Sequence, residues 1–151
     1  DGFPTPSRRG KMVPADIIPP DERPDDDYPM ILTTGRQLEH WHTGAITLRA
    51  SVLDEIEPEA VASLSPRDLR RLGIEAGETI RVLTRRGTIE IKSRRDGSVP
   101  AGVIFIPFCF AEAAANVLTN PALDPVGKIP EYKYCAARVE RAAAATPPER
   151  S

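Results

Sequence analysis

A mixed, mostly β domain with short helices is the fold class this sequence predicts, and three observations carry the prediction. Five or six short apolar or alternating segments recur along the chain. One strong helix start stands among them at Ser65-Pro66, and glycine-bearing turns separate the segments. That pattern favours a closed or layered β structure over an open α/β sheet.

Met30-Ile31-Leu32 reads as a short buried strand, with a loop leaving it from Thr33. Ala45-Ile46-Thr47-Leu48-Arg49 continues without breakers and predicts a short helix or turn. Residues 59–64, Glu-Ala-Val-Ala-Ser-Leu, predict a strand that runs into a helix start. There Ser65 is the N-cap, Pro66 the first helical residue and Asp68 the N3 residue that reaches back. Leu69 and Leu72 share its buried face, and Gly73 stops it. Residues 79–84 and 88–92 alternate apolar and polar around Arg85-Arg86-Gly87, the pattern of a β-hairpin with a basic turn. Residues 103–108 form a continuous apolar run, hence a central buried strand. Residues 111–115 have strong helix propensity and deliver Asn116, whose default reading is a helix-end cap. The turn at 122–125 leads to a final strand over 132–139.

Around this core, residues 1–29 hold seven of the sixteen prolines and the run Asp25-Asp26-Asp27. They predict an extended arm or linker. Residues 30–140 are then the domain, and residues 141–151 a disordered tail. The start at Asp1 rather than Met leaves open that the chain is a piece of a longer one.

At 151 residues with 40% hydrophobic content, one domain with a modest core is expected. The net charge of −2 gives no general argument for nucleic acid or a membrane surface. Arg81, Arg85, Arg86, Lys92, Arg94 and Arg95 cluster on the hairpin, but Glu90 and Asp96 interrupt them and no aromatics interleave. A solvated hairpin that meets a neighbouring subunit is the preferred reading, with no nucleic acid. No apolar run reaches membrane-spanning length, and a cytoplasmic protein is the simplest reading. Cys109 and Cys135 lack metal-site spacing and sit in apolar company, where buried free thiols are common; a disulfide is the less favoured alternative.

The densest chemistry lies over residues 33–44: Thr33, Thr34, Gly35, Arg36, then His40, Trp41, His42, Thr43 and Gly44. Thr hydroxyls and a guanidinium donate to phosphate oxygens, and glycine lets backbone approach a ligand. Two histidines alone make a poor metal site. The alternative is a polar loop with Trp41 plugging the core edge, but the set as a whole favours a binding loop for a phosphorylated, polar ligand. No P-loop or dinucleotide glycine fingerprint is present.

Thr33-Thr34-Gly35-Arg36 followed by His40-Trp41-His42-Thr43-Gly44 resembles the C-terminal molybdopterin-dinucleotide-binding domain of molybdenum or tungsten oxidoreductases. The later blocks, residues 113–125 and 127–133, resemble cytosolic, NAD-linked formate dehydrogenases more than nitrate reductases. The resemblance implies a double-psi β-barrel of the aspartate-decarboxylase-like kind. It also implies molybdopterin guanine dinucleotide as cofactor, its molybdenum or tungsten held by other domains of the alpha subunit. Those domains, and electron-transfer subunits, are the implied partners.

By the same resemblance, Thr33, Thr34, Gly35 and Arg36 lie against the nucleotide or diphosphate. His40, Trp41, His42, Thr43 and Gly44 follow the pterin and pyrophosphate. Asn116 hydrogen-bonds a pterin ring, and Tyr132, Lys133 and Tyr134 stand beside a second pterin. Neither cysteine matches the metal ligand of the family, so no catalytic residue is expected in this chain. The same domain of a periplasmic-type nitrate reductase or other molybdopterin oxidoreductase, and a free-standing β-barrel module or self-processing decarboxylase cut at Gly97-Ser98, stand as alternatives. For the last, Asp96-Gly97-Ser98 also reads simply as a turn.

Overall fold

The computed structural model describes residues 2–142. Six strands close into a barrel in the order β1-β5-β2-β4-β3-β6. They are β1 (Met30–Gly35), β2 (Val61–Leu64), β3 (Thr79–Leu83), β4 (Thr88–Arg95), β5 (Val103–Pro107) and β6 (Cys135–Arg141). The helices are α1 (Ser51–Ile56) and α2 (Pro66–Leu72), with 3-10 turns at Thr47–Arg49 and Ala115–Val117. This is the mostly β barrel expected from the sequence.

Two parallel pairings give the barrel its topology. β1 runs alongside β5, with Thr34 opposite Ile106, and β2 alongside β4, with Ala62 opposite Ser93. The remaining neighbours, including the β3–β4 hairpin, are antiparallel. Alternation decides which side chains face in: Leu32, Leu64, Ile80, Val82, Ile104 and Ile106 are fully buried in the barrel interior. Closure leaves no open sheet edge.

The helix start at Ser65 forms as expected. The Asp68 amide donates to Ser65 Oγ at 3.1 Å, and the Ser65 hydroxyl donates to Asp68 Oδ2 at 2.7 Å. That same oxygen accepts from the Gly102 amide at 2.7 Å, so the cap also fixes the turn leading into β5. Burial alone would raise the Asp68 carboxyl, but the Ser65, Gly102 and Arg71 donors outweigh it and lower its pKa. Gly73 closes the helix in the left-handed region at φ 66°.

Several expectations are corrected. β1 extends through Thr33, Thr34 and Gly35, because these residues pair with Phe105, Ile106 and Pro107. Residues 111–115 turn instead of forming a helix. Five residues are too few to offset nucleation, and their bent course buries Ala113 and Ala115. The last strand begins at Cys135 rather than Tyr132 and runs past residue 140, its end held by the Ala142 amide on Thr79 O at 3.3 Å. α1 was not anticipated, and none of its residues is buried. The disordered-tail expectation for residues 143–151 lies outside the described residues.

The arm is also tied down where it meets the barrel. Glu22 accepts from both Arg85 and Arg86 and from the Ala136 amide. Most of the basic hairpin is paired within the chain as well: Arg81 with Glu140, Lys92 with Glu59 and Arg94 with Glu57, which leaves Arg95 without an ion pair among the described residues. Ser98 donates through its amide and hydroxyl to Asp96 Oδ1, at 2.8 and 2.6 Å, so Asp96-Gly97-Ser98 is a turn. Cys109 and Cys135 are buried free thiols, their pKa values raised by burial.

Candidate functional site

A cavity of about 860 Å³ opens beside the end of β1. Thr34 from β1, Arg36, His42 and Thr43 from the loop after it, and Phe108 after β5 form one side. Asn116, Thr119, Asn120 and Pro121 form a second wall, and Pro130, Tyr132 and Lys133 a third. The parallel β1–β5 pairing brings the first side together, because Gly35 O accepts from the Phe108 amide at 3.2 Å as both strands end.

Hydrogen bonds join these walls. Thr34 Oγ1 donates to Tyr132 O at 3.0 Å, and Lys133 Nζ donates to Thr34 O at 3.0 Å. Asn120 is committed internally: its Nδ2 donates to Glu131 Oε2, its Oδ1 accepts from the Ala122 amide, and its backbone amide donates to Cys135 Sγ. Asn116 differs. It lies within the 3-10 turn, and among the described residues its side-chain amide has no hydrogen-bond partner. Its expected role as a helix-end cap is corrected accordingly, leaving a donor and an acceptor free at the cavity.

The cavity is lined by two cations, two amides and several hydroxyls, and among the described residues by no carboxylate. In a chain with 22 acidic residues, that selection makes it complementary to an anion. Arg36 is exposed and stands over the Trp41 ring, 5.7 Å from its centroid. No carboxylate pairs with it among the described residues, so its fork of donors is open to ligand oxygens. His42 adopts φ 52°, unusual for a non-glycine residue, with its ring edge-on to Phe108 at 5.4 Å.

Seven of the thirteen expected residues line this cavity: Thr34, Arg36, His42, Thr43, Asn116, Tyr132 and Lys133. Thr33, Gly35, His40, Trp41, Gly44 and Tyr134 do not. His40 is 1% exposed, its Nε2 2.9 Å from Glu57 O and its ring against Phe110, so it braces the loop from behind. Gly35 is required by packing, since a Cβ would come within 2.9 Å of Phe105 Cζ. Gly44, at φ 74°, abuts Leu48 and the Cys109 carbonyl. Phe108, Thr119, Asn120, Pro121 and Pro130 complete the lining and were not anticipated as site residues. Only Asn120 offered a signal, as a polar residue four positions from Asn116.

Residues 30–136 match the family model described as "Molydopterin dinucleotide binding domain". The chain belongs to the molybdopterin-dinucleotide-binding domain family. Its relatives include the F420-dependent formate dehydrogenase 1 subunit alpha of Methanococcus maripaludis, 46% identical over 91% of this chain and 20% of that protein. The F420-dependent formate dehydrogenase subunit alpha of Methanocaldococcus jannaschii is 47% identical over 93% of this chain and 21% of that protein. The chain thus spans about a fifth of the length of these relatives. Among solved structures, acetylene hydratase from Pelobacter acetylenicus superposes with a TM-score of 0.68 at 25% identity, over 77% of this chain and 19% of that one. A molybdopterin-type cofactor is the ligand of the family, and the donor-rich, carboxylate-free lining fits its phosphates and ring edges. Among the described residues no helix is long and apolar enough to cross a membrane, and no group of three metal-ligating side chains occurs.

Proposed function

We propose that this chain is the cofactor-binding domain of a formate dehydrogenase alpha subunit and that it holds molybdopterin guanine dinucleotide. The observation that carries the reading is the cavity lining: among the described residues, Arg36 and Lys133 are its cations, Asn116 has an uncommitted amide, and there is no carboxylate. Arg36 and Lys133 take phosphate oxygens, and Asn116 offers the paired donor and acceptor that a heterocyclic edge needs. Thr43 adds a hydroxyl donor, and Thr119, whose hydroxyl donates to Asn116 O at 3.2 Å, an acceptor, while Phe108 and Tyr132 supply planar apolar surface. The 42–47% identity to formate dehydrogenase subunits supports formate as the substrate. The likeness to an acetylene hydratase means that the barrel alone does not select a reaction.

When bound, the cofactor and its molybdenum or tungsten supply the redox chemistry that takes formate to carbon dioxide, two electrons and a proton. This chain's residues hold and orient it; the metal ligand and the electron path come from the rest of the subunit and from electron-transfer partners. Of the six remaining expected residues, Thr33 and Gly35 act within β1, His40, Trp41 and Gly44 shape the loop after it, and Tyr134 follows the Tyr132-Lys133 wall. The resemblance to cytosolic formate dehydrogenases assigns the protein to the cytoplasm in this reading, in keeping with two free thiols.

The reaction is tested by assaying the enzyme that carries this domain with formate and with nitrate. Formate-dependent dye reduction without nitrate reduction is expected; nitrate reduction without formate oxidation overturns the substrate assignment. The 151-residue chain alone is expected to show no formate-dependent dye reduction even when supplied with cofactor and metal.

A further inference from the structure

Arg86 stands at the tip of the β3–β4 hairpin, outside the cavity, yet it is bonded to the wall behind it. Its Nε and one terminal nitrogen donate to Leu118 O at 3.3 and 3.2 Å. Leu118 is fully buried, two residues after Asn116 and two before Asn120. The other side of the same guanidinium meets Glu22 in a two-pronged pair, at 2.8 and 2.7 Å. Gly87, next in the turn, lies so close to Val117 that a Cβ would come within 2.6 Å of its Cγ1. The wall carrying Asn116 therefore rests on the hairpin tip, and the hairpin tip is held by the arm.

The arm reaches the opposite wall as well. Glu22 Oε2 accepts from the Ala136 amide at 3.0 Å, and the Asp21 amide donates to Glu131 Oε2 at 3.1 Å. Glu131 in turn accepts from Asn120 Nδ2 and directly precedes Tyr132 and Lys133 of the cavity. Residues 21 and 22 thus join two segments, 116–121 and 130–136, whose separation sets the width of the site. The Glu22 side chain is only 12% exposed, so losing the Arg86 fork would leave a poorly solvated carboxylate with Arg85 and the Ala136 amide as its remaining partners.

We propose that the Glu22–Arg86 pair is a positioning element for the cofactor cavity, coupling the seating of the arm to how firmly the cofactor is retained. The proposal rests on the cavity being the cofactor site. Neither residue touches the cofactor; Arg86 acts through Leu118 and Glu22 through Ala136, while the neighbouring Asp21 amide holds Glu131. Lysine does not reproduce the guanidinium, because a three-donor point charge lacks the planar fork that makes four bonds to the two Glu22 oxygens and Leu118 O.

The test is the rate at which dinucleotide and metal leave the purified holoenzyme, compared among wild type, Arg86→Lys, Glu22→Gln and Arg81→Lys. Arg81, on the same hairpin, pairs with Glu140 and touches neither arm nor wall. Arg86→Lys and Glu22→Gln are expected to release cofactor about tenfold faster, a step of about 1.4 kcal/mol, with turnover per bound cofactor unchanged and Arg81→Lys at the wild-type rate. Melting of the cofactor-free forms separates positioning from plain destabilisation. Wild-type release rates in both variants, or a lowered melting temperature of the cofactor-free form without faster release, overturn the proposal. If Arg86→Lys does not fold, Glu22→Gln alone decides, because its isosteric amide keeps an acceptor for Ala136. A loaded wild type with unaltered variants defeats the coupling only; a wild type that carries no dinucleotide defeats the cofactor reading and the coupling with it.

Discussion

Asn116 and Arg36 are the residues whose chemistry is least committed within the chain and most exposed to a ligand. The free amide of Asn116 predicts that Asn116→Ala lowers cofactor retention, by about 1–3 kcal/mol if one ligand hydrogen bond is lost and its partner left unsatisfied. Metal content and melting temperature of the holoenzyme are the readouts. Unchanged content with a lowered melting temperature of the cofactor-free form would return Asn116 to a structural role. Arg36→Lys should reduce loading as well, since a fork that can hold two oxygens becomes a point charge. Arg86→Lys, a silent control if the hairpin were simply solvated, is unsuitable because Arg86 is bonded to Glu22 and Leu118. Arg95→Lys serves instead, at an exposed position with no ion pair among the described residues. Equal loading in Arg36→Lys and Arg95→Lys would make Arg36 an ordinary surface charge. At this scale the sequence showed which residue types gather but not which of them turn inward. His40 and His42 are two positions apart, yet one is sealed against Glu57 O and Phe110 and the other faces the cavity.

α2 shows the element scale most plainly. Its cap was legible because Ser65, Pro66, Asp68 and Gly73 act within one or two helical turns. Removing the Ser65 hydroxyl leaves the Asp68 amide without its acceptor and Asp68 without one donor. Ser65→Ala should therefore cost about 1–2 kcal/mol in denaturant unfolding. A change below about 0.3 kcal/mol would mean that the Gly102 and Arg71 donors suffice to hold the carboxylate. The β3–β4 hairpin was legible for the same local reason. The end of β1 was not, because Thr33-Thr34-Gly35 carries no apolar alternation. Its extended course is imposed by β5, some seventy residues away in sequence. Likewise the alanine run at 111–115 has helix propensity but bends to bury Ala113 and Ala115, so packing overrides the local preference.

On the scale of the whole molecule, long-range pairing decides what the local pattern cannot. The arm reads as linker from its prolines, but Glu22 is held 63 and 64 residues away in sequence by Arg85 and Arg86. Burial works to raise the Glu22 carboxyl, and the bonds from Arg86, Arg85 and the Ala136 amide more than offset it, holding its pKa at about 2 against an ordinary 4.5. Because the folded value is the lower one, this contribution to stability is complete above pH 4.5 and is lost as pH falls toward 2. The melting-temperature advantage of wild type over Glu22→Gln should therefore be constant near neutrality and shrink below about pH 4.5. A difference that persists undiminished to pH 3 would mean that the Glu22 charge does not anchor the arm.

In the proposed function, the cavity between β1, the 116–121 wall and the 130–133 turn holds a dinucleotide through Arg36 and Lys133. The most direct measurement of this is the guanine nucleotide and metal released per purified holoenzyme, compared between wild type and the double variant Arg36→Ala, Lys133→Ala. Nucleotide and metal in fixed proportion in wild type, and both depleted together in the double variant while the cofactor-free fold is retained, is the expected result. Undiminished nucleotide and metal in the double variant would contradict it, because the cavity's two cations would then have no part in holding the ligand.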